Sequence, residues 1–449
     1  MAGIAGIARH GAAKEVEMML GEINYRGRSR RHITEKDGIT AGIIWNEHED
    51  AFVKRSLENG EIGYNCGPGH YVRETIAGGK IRIYRDELGV APLYYGKERS
   101  GSLCFASEVK SLLKVTNDVN EVPPGHYLDT AGLTSFYKID TGKYLEKDPV
   151  QTATELQEYL RTAVAKCIRS EEAGSWLSGG LDSSSICALA AKQVRKLKTF
   201  TAGLKNAPDI KFAREMAQFL RSEHHEIVVS VEDLIRVLPE VIYHLESFDA
   251  LLVRSSITNY LVAKLSSDHI DEVFSGEGGD ELFAGYDYLK SVPLSSLEEE
   301  LIKITGNLHN TALQRVDRCS AAHGITAHVI FANPDVVRFA FMIPARFKIF
   351  ENTEKWILRK AMDGLLPEGV LNRPKAKFWE GAGIKDLISD YASEHITDSD
   401  FRKERILSDG WILNTKEELF YYRIFRDHFR TADDLRWMGR TKGSPIEVS

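Results

Sequence analysis

The segment SWLSGGLDSSSICALAA, Ser175–Ala191, places two glycines, a carboxylate and several hydroxyls between a short apolar run and a helix-like apolar segment. A strand, a glycine-rich turn and a helix start direct several backbone N–H groups to one point, and the helix dipole adds partial positive charge there. Ser178, Ser183 and Ser184 can donate further hydrogen bonds. Asp182 would repel a bare anion, so its position predicts Mg²⁺ between carboxylate and phosphate. A plain glycine turn with a serine cap is the alternative.

This loop differs from the common nucleotide motifs. No lysine follows the glycines, which excludes the GxxxxGK[ST] phosphate loop, and the spacing is not GxGxxG. A loop that holds pyrophosphate without that lysine suits cleavage between the α and β phosphates of ATP. The chemistry indicated is transfer of AMP to an acceptor.

A second glycine-rich segment, VFSGEGGDELFAGY, carries three carboxylates after another apolar run. Loops that follow neighbouring strands of an open α/β sheet meet at its carboxyl edge, where ligands bind. Asp280 would then provide a second Mg²⁺ contact beside Asp182. Glu277 would lie near the nucleotide, placed to accept a proton or orient a substrate. An acidic, solvated turn is the alternative.

The elements that must position these loops follow from the hydrophobic periodicity. Residues 1–138 hold short β-leaning runs between glycine-rich turns, and residues 139–150 are polar and turn-like, as in a linker. From Gln151 to about residue 290, helical spacing alternates with strand-like runs, and the chain beyond is mostly helical. Alternating strands and helices predict an α/β fold with a parallel sheet and right-handed crossovers.

Composition narrows the class of protein. The chain has 449 residues, 43% hydrophobic and 27% charged, with a formal net charge of -7, so no overall basic field favours nucleic acid. The five cysteines form no CxxC pair, which disfavours zinc and fits a reducing compartment. The sequence has no signal peptide pattern and no apolar run of the ~20 residues that span a membrane. We expect a cytoplasmic protein without membrane contact.

Motifs in order along the chain resemble the asparagine synthetase B family. Those between residues 150 and 385 are LSGGLDSS, LESFDALLVRSS, SGEGGDELFAGY, LQRVDRCSAAHGI and NTEKWILRKAMDGLLPEGVLNRPKAKF. Nearer the N-terminus, the matching motifs are RDELGVAPLYYG, CFASEVKSLL and VPPGHYL. The resemblance implies an α+β, Ntn-hydrolase-like glutaminase domain of antiparallel sheets at 1–138. It also implies an ATP-pyrophosphatase domain at 151–440, with a parallel sheet and a helical C-terminal part.

The resemblance also assigns roles to matching positions. Ser178, Gly179, Gly180, Asp182, Ser183 and Ser184 would hold pyrophosphate and Mg²⁺, with Asp280 as the second metal-linked carboxylate. Leu177, Ala202, Ser275 and Gly276 would line the adenosine site. Glu277 would act in forming the acyl-adenylate and admitting ammonia, and Lys355 would neutralise phosphate charge in the transition state. Arg373, Lys375 and Lys377 are weaker candidates.

The N-terminal region departs from the family pattern. Its glutaminase domain uses a cysteine at the second position as the nucleophile, where this chain has Ala2. The region is short, and NGEIGYN, Asn59–Asn65, is a distorted version of the glutamine-holding segment with an inserted glycine. Arg26 and Gly27 remain from another family motif. We predict no glutaminase activity and a structural use of this region, as a cover for the synthetase half or as a dimer contact.

A second departure concerns the acceptor. After the His-Gly of LQRVDRCSAAHGI, two ion-pairing family residues are replaced by neutral or weakly basic ones. The positions concerned are Thr326, His328, Ile330, Ala332 and Asn333. If they shape the substrate pocket, aspartate is in doubt as the acceptor.

Three functions remain open. The first is an ATP-dependent amide ligase that adenylates a small-molecule carboxylate, aspartate being one candidate, before ammonia or an amine attacks. The second is a specialised ligase similar to β-lactam synthetases or lasso-peptide cyclases, although β-lactam synthetases have tyrosine at the position of Glu277. The third is a non-catalytic nucleotide-binding scaffold. A separate glutaminase that supplies ammonia and a homodimer are both compatible with the sequence.

Overall fold

The structure is a computed structural model of the chain. It describes residues 1–77, 80–140, 144–145, 147–374, 381–382, 384, 387–408, 410–432 and 434–441. Lys375, Lys377 and part of the predicted linker lie outside the described residues. Among the described residues, we find no helix with the length and apolar character needed to cross a bilayer.

The N-terminal part is built from short strands and three helices. The strands are β1 (Gly3–Ile7), β2 (Arg30–Lys36), β3 (Ile39–Trp45), β4 (Ile62–Gly67), β5 (His70–Ala77), β6 (Lys80–Arg85), β7 (Tyr94–Lys97), β8 (Leu103–Ala106), β9 (Asn120–Glu121), β10 (His126–Asp129) and β11 (Gly132–Ser135). The helices are α1 (Ala13–Glu22), α2 (Asp50–Glu58) and α3 (Val109–Leu112).

These strands form two antiparallel sheets, as the sequence predicts. One sheet has the order β2-β3-β1-β8-β7-β9 and the other has the order β11-β10-β6-β5-β4. The glycine- and alanine-rich segment Gly3–Ile7 is a fully buried strand that pairs with both β3 and β8. Its small side chains let neighbouring layers approach: a Cβ on Gly6 would lie 2.3 Å from the Phe105 ring.

The middle of the chain forms a five-stranded parallel sheet. Its strands are β12 (Glu172–Trp176), β13 (Lys196–Leu204), β14 (Glu223–Val229), β15 (Glu272–Ser275) and β16 (Thr326–Val329). The order is β14-β13-β12-β15-β16, and each neighbouring pair is parallel. The two glycine-rich motifs follow β12 and β15, which are adjacent. The predicted α/β fold is therefore confirmed, and the loops meet at one sheet edge.

Helices cover this sheet and continue beyond it. Those up to β16 are α4 (Pro149–Cys167), α5 (Leu181–Ala191), α6 (Pro208–Leu220), α7 (Val231–Leu245), α8 (Ala250–Ser267), α9 (Gly279–Phe283), α10 (Leu294–Gly306) and α11 (Ala312–Ala322). The later ones are α12 (Pro334–Met342), α13 (Ala345–Lys348), α14 (Trp356–Ala361), α15 (Glu368–Leu371), α16 (Leu387–His395), α17 (Asp398–Glu404) and α18 (Lys416–His428).

The mostly helical pattern predicted after residue 290 misses one strand of the main sheet. The segment Thr326–Val329 is β16, which lies at the sheet edge and pairs with β15. The segment has only four residues, TAHV, and all four are buried, so its brief alternation does not separate an exposed face from a buried one. A small hairpin, β17 (Ile349–Phe350) and β18 (Thr353–Glu354), is a second correction to this region.

A buried ion network joins the N-terminal part to the parallel-sheet part. Arg26 is fully buried and donates to Asp317 on α11 at 2.8 Å and to Glu108 at 2.6 Å. The neighbouring Arg318 pairs with Glu246 at 3.0 Å. Because buried charges need partners on every side, this network fixes α11 between the two parts. The boundaries 1–138 and 151–440 themselves remain predictions.

Candidate active site

A cavity of about 610 Å³ opens at the carboxyl ends of the parallel strands. The sequence-predicted residues that line it are Leu177, Ser178, Gly180, Asp182, Ser183, Ala202, Ser275, Gly276, Glu277, Asp280, Lys355 and Arg373. Gly179 and Ser184 do not belong to its lining. The two motifs therefore share one cavity with a lysine that lies 75 residues beyond Asp280 in the sequence.

The glycine loop has its own internal order. Gly179 has a φ of +67°, and a Cβ there would lie 2.4 Å from the backbone carbon of Phe212 on α6. Gly179 thus permits the turn and the close packing of α6, while Gly180 faces the cavity. The Ser178 and Ser183 hydroxyls lie 3.0 Å apart across the turn. Ser184 is fully buried and does not line the cavity, so its expected contact with pyrophosphate stays a prediction.

Lys355 lies between the two predicted metal carboxylates. Its Nζ is 2.5 Å from Asp182 Oδ2 and 2.6 Å from Asp280 Oδ1. The residue is only 3% exposed, has a left-handed φ of 53°, and donates its backbone N–H to Phe283 O at 3.2 Å. The backbone therefore holds this ammonium group in the cavity.

Glycines let these charged groups approach one another. A Cβ on Gly279 would lie 2.6 Å from the Asp182 carboxylate. A Cβ on Gly285 would lie 2.0 Å from Asp280 Oδ1 and 2.1 Å from Lys355 Cε. Any larger residue at either position would displace the carboxylates, so the spacing of SGEGGDELFAGY serves the geometry of the charged cluster.

The same two carboxylates fit a magnesium ion. One oxygen of Asp182 and one of Asp280 lie within 2.6 Å of a single nitrogen atom, so both can contact a common cation. Carboxylate oxygens are the protein ligands that Mg²⁺ prefers, and Mg²⁺ usually completes its shell with water and substrate phosphates.

Glu277 pairs with a residue that the sequence analysis did not assign. Arg315 Nη2 on α11 lies 2.7 Å from Glu277 Oε1, and both line the cavity. Burial lowers the pKa of Arg315, but the Glu277 charge outweighs it and raises that pKa above its usual value. Arg315 belongs to the quoted motif LQRVDRCSAAHGI, and its place in that motif was the available signal in the sequence.

Glu281 adds a neutralisable carboxyl beside the cluster. Burial, followed by the charge of Asp280, raises the pKa of Glu281 to about 7. The Tyr286 hydroxyl donates a hydrogen bond to Glu281. The cavity wall can therefore hold a third carboxyl group near Asp280 without a third negative charge.

Two polar residues of α8 were also missed. Thr258 and Asn259 are buried and line the cavity. Their Oγ1 and Oδ1 atoms have no hydrogen-bond partner among the described residues. A buried polar atom without a partner costs stability unless a ligand or water satisfies it. Both atoms are therefore candidates for hydrogen bonds to a ligand in the cavity. No signal in the sequence separated them from the other polar residues of α8, such as Ser255, Ser256 and Lys264.

Arg373 contacts the glycine loop through the backbone of Ser178. Its Nη1 donates to Ser178 O at 3.1 Å and its Nη2 to Asp209 at 2.6 Å. The guanidinium lies 4.1 Å from the centre of the Phe212 ring. Arg373 therefore ties the loop to α6, which gives this weaker candidate a positioning contact.

The N-terminal part places no nucleophile at its second residue. Ala2 is fully buried, its N–H donates to Glu49 Oε1 at 2.8 Å, and its carbonyl accepts from Arg26 Nε at 3.0 Å. The NGEIGYN segment, Asn59–Asn65, contains the turn that follows α2 and the first residues of β4. Arg26, the family residue retained here, belongs to the buried ion network.

The positions expected to shape the acceptor pocket lie elsewhere. None of the five residues from Thr326 to Asn333 is among the described residues that line the cavity. They face the N-terminal part instead. Asn333 donates to Pro68 O at 3.2 Å, and His70 Nε2 lies 2.9 Å from Ala332 O. These positions therefore do not line the described cavity, and the identity of the acceptor stays a prediction.

Two family models and several curated relatives match this chain. A family model described as asparagine synthase matches residues 155–303 and 294–444, and one described as a glutamine amidotransferase domain matches residues 76–154. Asparagine synthetase B [glutamine-hydrolyzing] of Escherichia coli is 34% identical over 371 residues, which is 77% of this chain and 67% of that protein. Asparagine synthetase [glutamine-hydrolyzing] 2 of Oryza sativa subsp. japonica is 32% identical, covering 77% of this chain and 63% of that protein.

A solved NMN synthetase from Francisella tularensis aligns with 66% of this chain and all of its own, at 15% identity and a TM-score of 0.30, which is too low to support a conclusion. The matched domains and the curated relatives place the molecule among ATP-dependent carbon–nitrogen ligases. The chain belongs to the asparagine synthetase family.

Proposed function

We propose that the 610 Å³ cavity forms an acyl-adenylate from ATP and a small-molecule carboxylate, and that ammonia or an amine then displaces AMP to give an amide. The substrate carboxylate attacks the α-phosphorus and pyrophosphate leaves. The observation that carries the proposal is the convergence of Asp182, Asp280 and Lys355 beside the amino end of α5.

The residues divide the work by charge. The loop around Gly180 and the start of α5 offer backbone N–H groups to the leaving diphosphate. Lys355 offsets the negative charge that develops when the carboxylate attacks, in a buried position where a charge acts strongly. Mg²⁺ held by Asp182 and Asp280 supplies further neutralisation of the phosphate charge when bound.

Glu277 is placed for the second half-reaction. Attack by ammonia on the acyl carbon leaves a proton to be removed from the nitrogen. The Glu277 carboxylate lines the cavity and is oriented by Arg315 at 2.7 Å, which supports a role as the proton acceptor. Thr258 and Asn259 offer polar contacts for the carboxylate substrate or the nucleotide.

The nitrogen donor enters as free ammonia or an amine in this proposal. Ala2 has no nucleophilic side chain, and its backbone is enclosed by Glu49 and Arg26. A separate protein that releases ammonia remains compatible with this arrangement. We also propose residues 1–138 as a degenerate glutaminase domain and residues 151–440 as the synthetase domain.

Pyrophosphate release tests the adenylation step. The full chain with ATP and Mg²⁺ is screened against carboxylic acids, aspartate included, each crossed with ammonium and with amines. We expect release that requires a carboxylate, and loss of it in D182N and D280N. The control variant K360A changes a half-buried lysine of α14 that does not line the cavity. We expect K360A to retain activity. Release independent of every carboxylate, or none at all, would overturn the proposal.

A further inference from the structure

A second cluster of metal-ligating side chains lies at the opposite edge of the parallel sheet from the ATP cavity. Glu223 and His225 are near the amino end of the edge strand β14, and His269 lies in the loop between α8 and β15. One ligand atom from each residue lies within 4.8 Å of those of the other two. Within the part of the chain that the structure describes, these are the three His, Cys, Asp or Glu residues whose ligand atoms lie close enough together to share one metal ion.

We propose that Glu223, His225 and His269 bind a divalent transition-metal ion of the zinc type. Two imidazoles and one carboxylate are donors that suit Zn²⁺ and its neighbours, whereas Mg²⁺ prefers oxygen ligands alone. Three protein ligands leave a fourth position for water. This site is separate from the Asp182 and Asp280 pair and does not depend on the proposed ligase reaction.

The donor atoms are already turned toward one another. His225 Nε2 lies 2.7 Å from Glu223 Oε1, and the rings of His225 and His269 stack with their centres 3.9 Å apart. Zinc–nitrogen bonds of about 2.0–2.1 Å require donor atoms within roughly 4 Å of each other. The donor atoms lie within 4.8 Å of one another, so small side-chain rotations would bring all three to bonding distance of one ion.

Neighbouring residues hold the ligands in these orientations. Lys196 Nζ lies 2.5 Å from Glu223 Oε2, which leaves the other carboxylate oxygen directed at His225. The Phe200 ring stacks against His225 at 5.3 Å and contacts the His269 ring at 5.8 Å. Such supporting contacts are typical of ligands whose direction matters, because they fix the ring and the carboxylate before the ion binds.

An ion at this site would join the exposed edge strand β14 to the loop that leads into β15. We therefore expect the metal to stabilise the sheet edge, since a ligand that binds only the folded state raises its stability.

Calorimetric titration tests the site. The full chain, stripped with EDTA and then supplied with saturating Mg²⁺, is titrated with Zn²⁺. We expect the wild type to bind one equivalent that H225Q and H269Q bind at least about 10-fold more weakly, since even outer-shell changes cost that much. H224Q is the matched control, because His224 points to the other side of β14 and its Nδ1 contacts Thr199 Oγ1 at 3.0 Å.

Two further readouts separate a real site from misfolding or adventitious binding. Co²⁺ bound through imidazole nitrogen gives visible absorption bands, which we expect in the wild type and H224Q but not in H269Q. The Tm without metal should be the same in all variants, and Zn²⁺ should raise it in the wild type and H224Q alone. Equal Zn²⁺ binding by H225Q, H269Q and wild type, or no binding by the wild type, would overturn the proposal.

Discussion

Lys355 combines burial, a left-handed backbone and contacts to two carboxylates, which is an unusual combination for a lysine. A lysine is costly to bury unless its charge is used, and here two aspartates satisfy it. The substrate phosphates would compete for the same ammonium group. The ammonium group of Lys355 is thus paired within the protein, and it can also bind a more highly charged ligand in the cavity.

We expect K355A to lower kcat by about 10²–10³-fold with a modest change in ATP affinity, because its contact strengthens as charge develops in the transition state. Steady-state pyrophosphate release and ATP binding by the same protein measure the two effects. K360A should resemble the wild type. Unchanged kinetics in K355A would remove Lys355 from the mechanism.

We propose that Ala2 excludes glutamine as a nitrogen source for the chain. Ammonium should support amide formation and glutamine should not, since the second residue provides no thiol for hydrolysis. Product formation with each nitrogen source, together with glutamate release, measures this directly. Efficient use of glutamine by the purified chain would contradict the interpretation of Ala2.

Glu74 provides a test of stability against pH. Burial raises its pKa from 4.5 to about 7, so the folded chain keeps a proton that the unfolded chain loses between these values. This group's contribution to the free energy of unfolding therefore falls as pH rises through that window. We expect E74Q to gain about 3 kcal/mol relative to the wild type between pH 4 and pH 8. Urea unfolding at both pH values measures it, and parallel profiles would contradict it.

At the scale of elements, the turn after α9 depends on Gly285, and no local sequence pattern explains the need for glycine there. Gly285 has no positive φ, so its requirement is space rather than backbone conformation. Its neighbours in space are Asp280 and Lys355, which come from two elements. The loop and the start of α14 can approach only because position 285 has no side chain.

We expect G285A to abolish most pyrophosphate release, because the new Cβ would lie about 2 Å from both charged groups. G306A is the matched control: Gly306 ends α10 with nothing within 4 Å of an added Cβ, so its activity should match the wild type. Activity in G285A equal to that of G306A would show that the close approach is dispensable.

The sequence predicted the elements that repeat a pattern and the residues within a motif. The strand–loop–helix at Ser178–Asp182 and the facing loop at Glu277 and Asp280 required only local spacing and the rule that parallel strands end at one edge. Arg315 and Asn259 were not predicted, because their roles come from the packing of α8 and α11 against that edge. The strand β16 has only four residues, so the brief alternation in TAHV was too short to mark a strand.

At the scale of the whole molecule, the N-terminal part and the synthetase part share a charged core. Arg26, Glu108, Asp317 and Arg318 are all buried and contact one another across the boundary. Removing one member leaves its partners unpaired in the interior. The two parts therefore stabilise each other.

We expect R26A to lower the free energy of unfolding by about 3–5 kcal/mol, the usual cost of an orphaned buried charge. R31A, which removes a partly exposed partner of Glu17, should change it by about 0–1 kcal/mol. Chemical denaturation of both variants measures the difference. Equal stability of R26A and R31A would mean that the network contributes nothing to the association of the two parts.

Helix α11 contacts both regions: Arg315 reaches the cavity, while Asp317 and Arg318 lie in the ion network two and three residues later. Rotating or shifting this helix by a fraction of a turn would misdirect the guanidinium that orients Glu277. Arg26 and Glu108 of the N-terminal part therefore help to position the same helix that orients a cavity side chain, so a substitution in the buried ion network can alter the cavity as well as the stability.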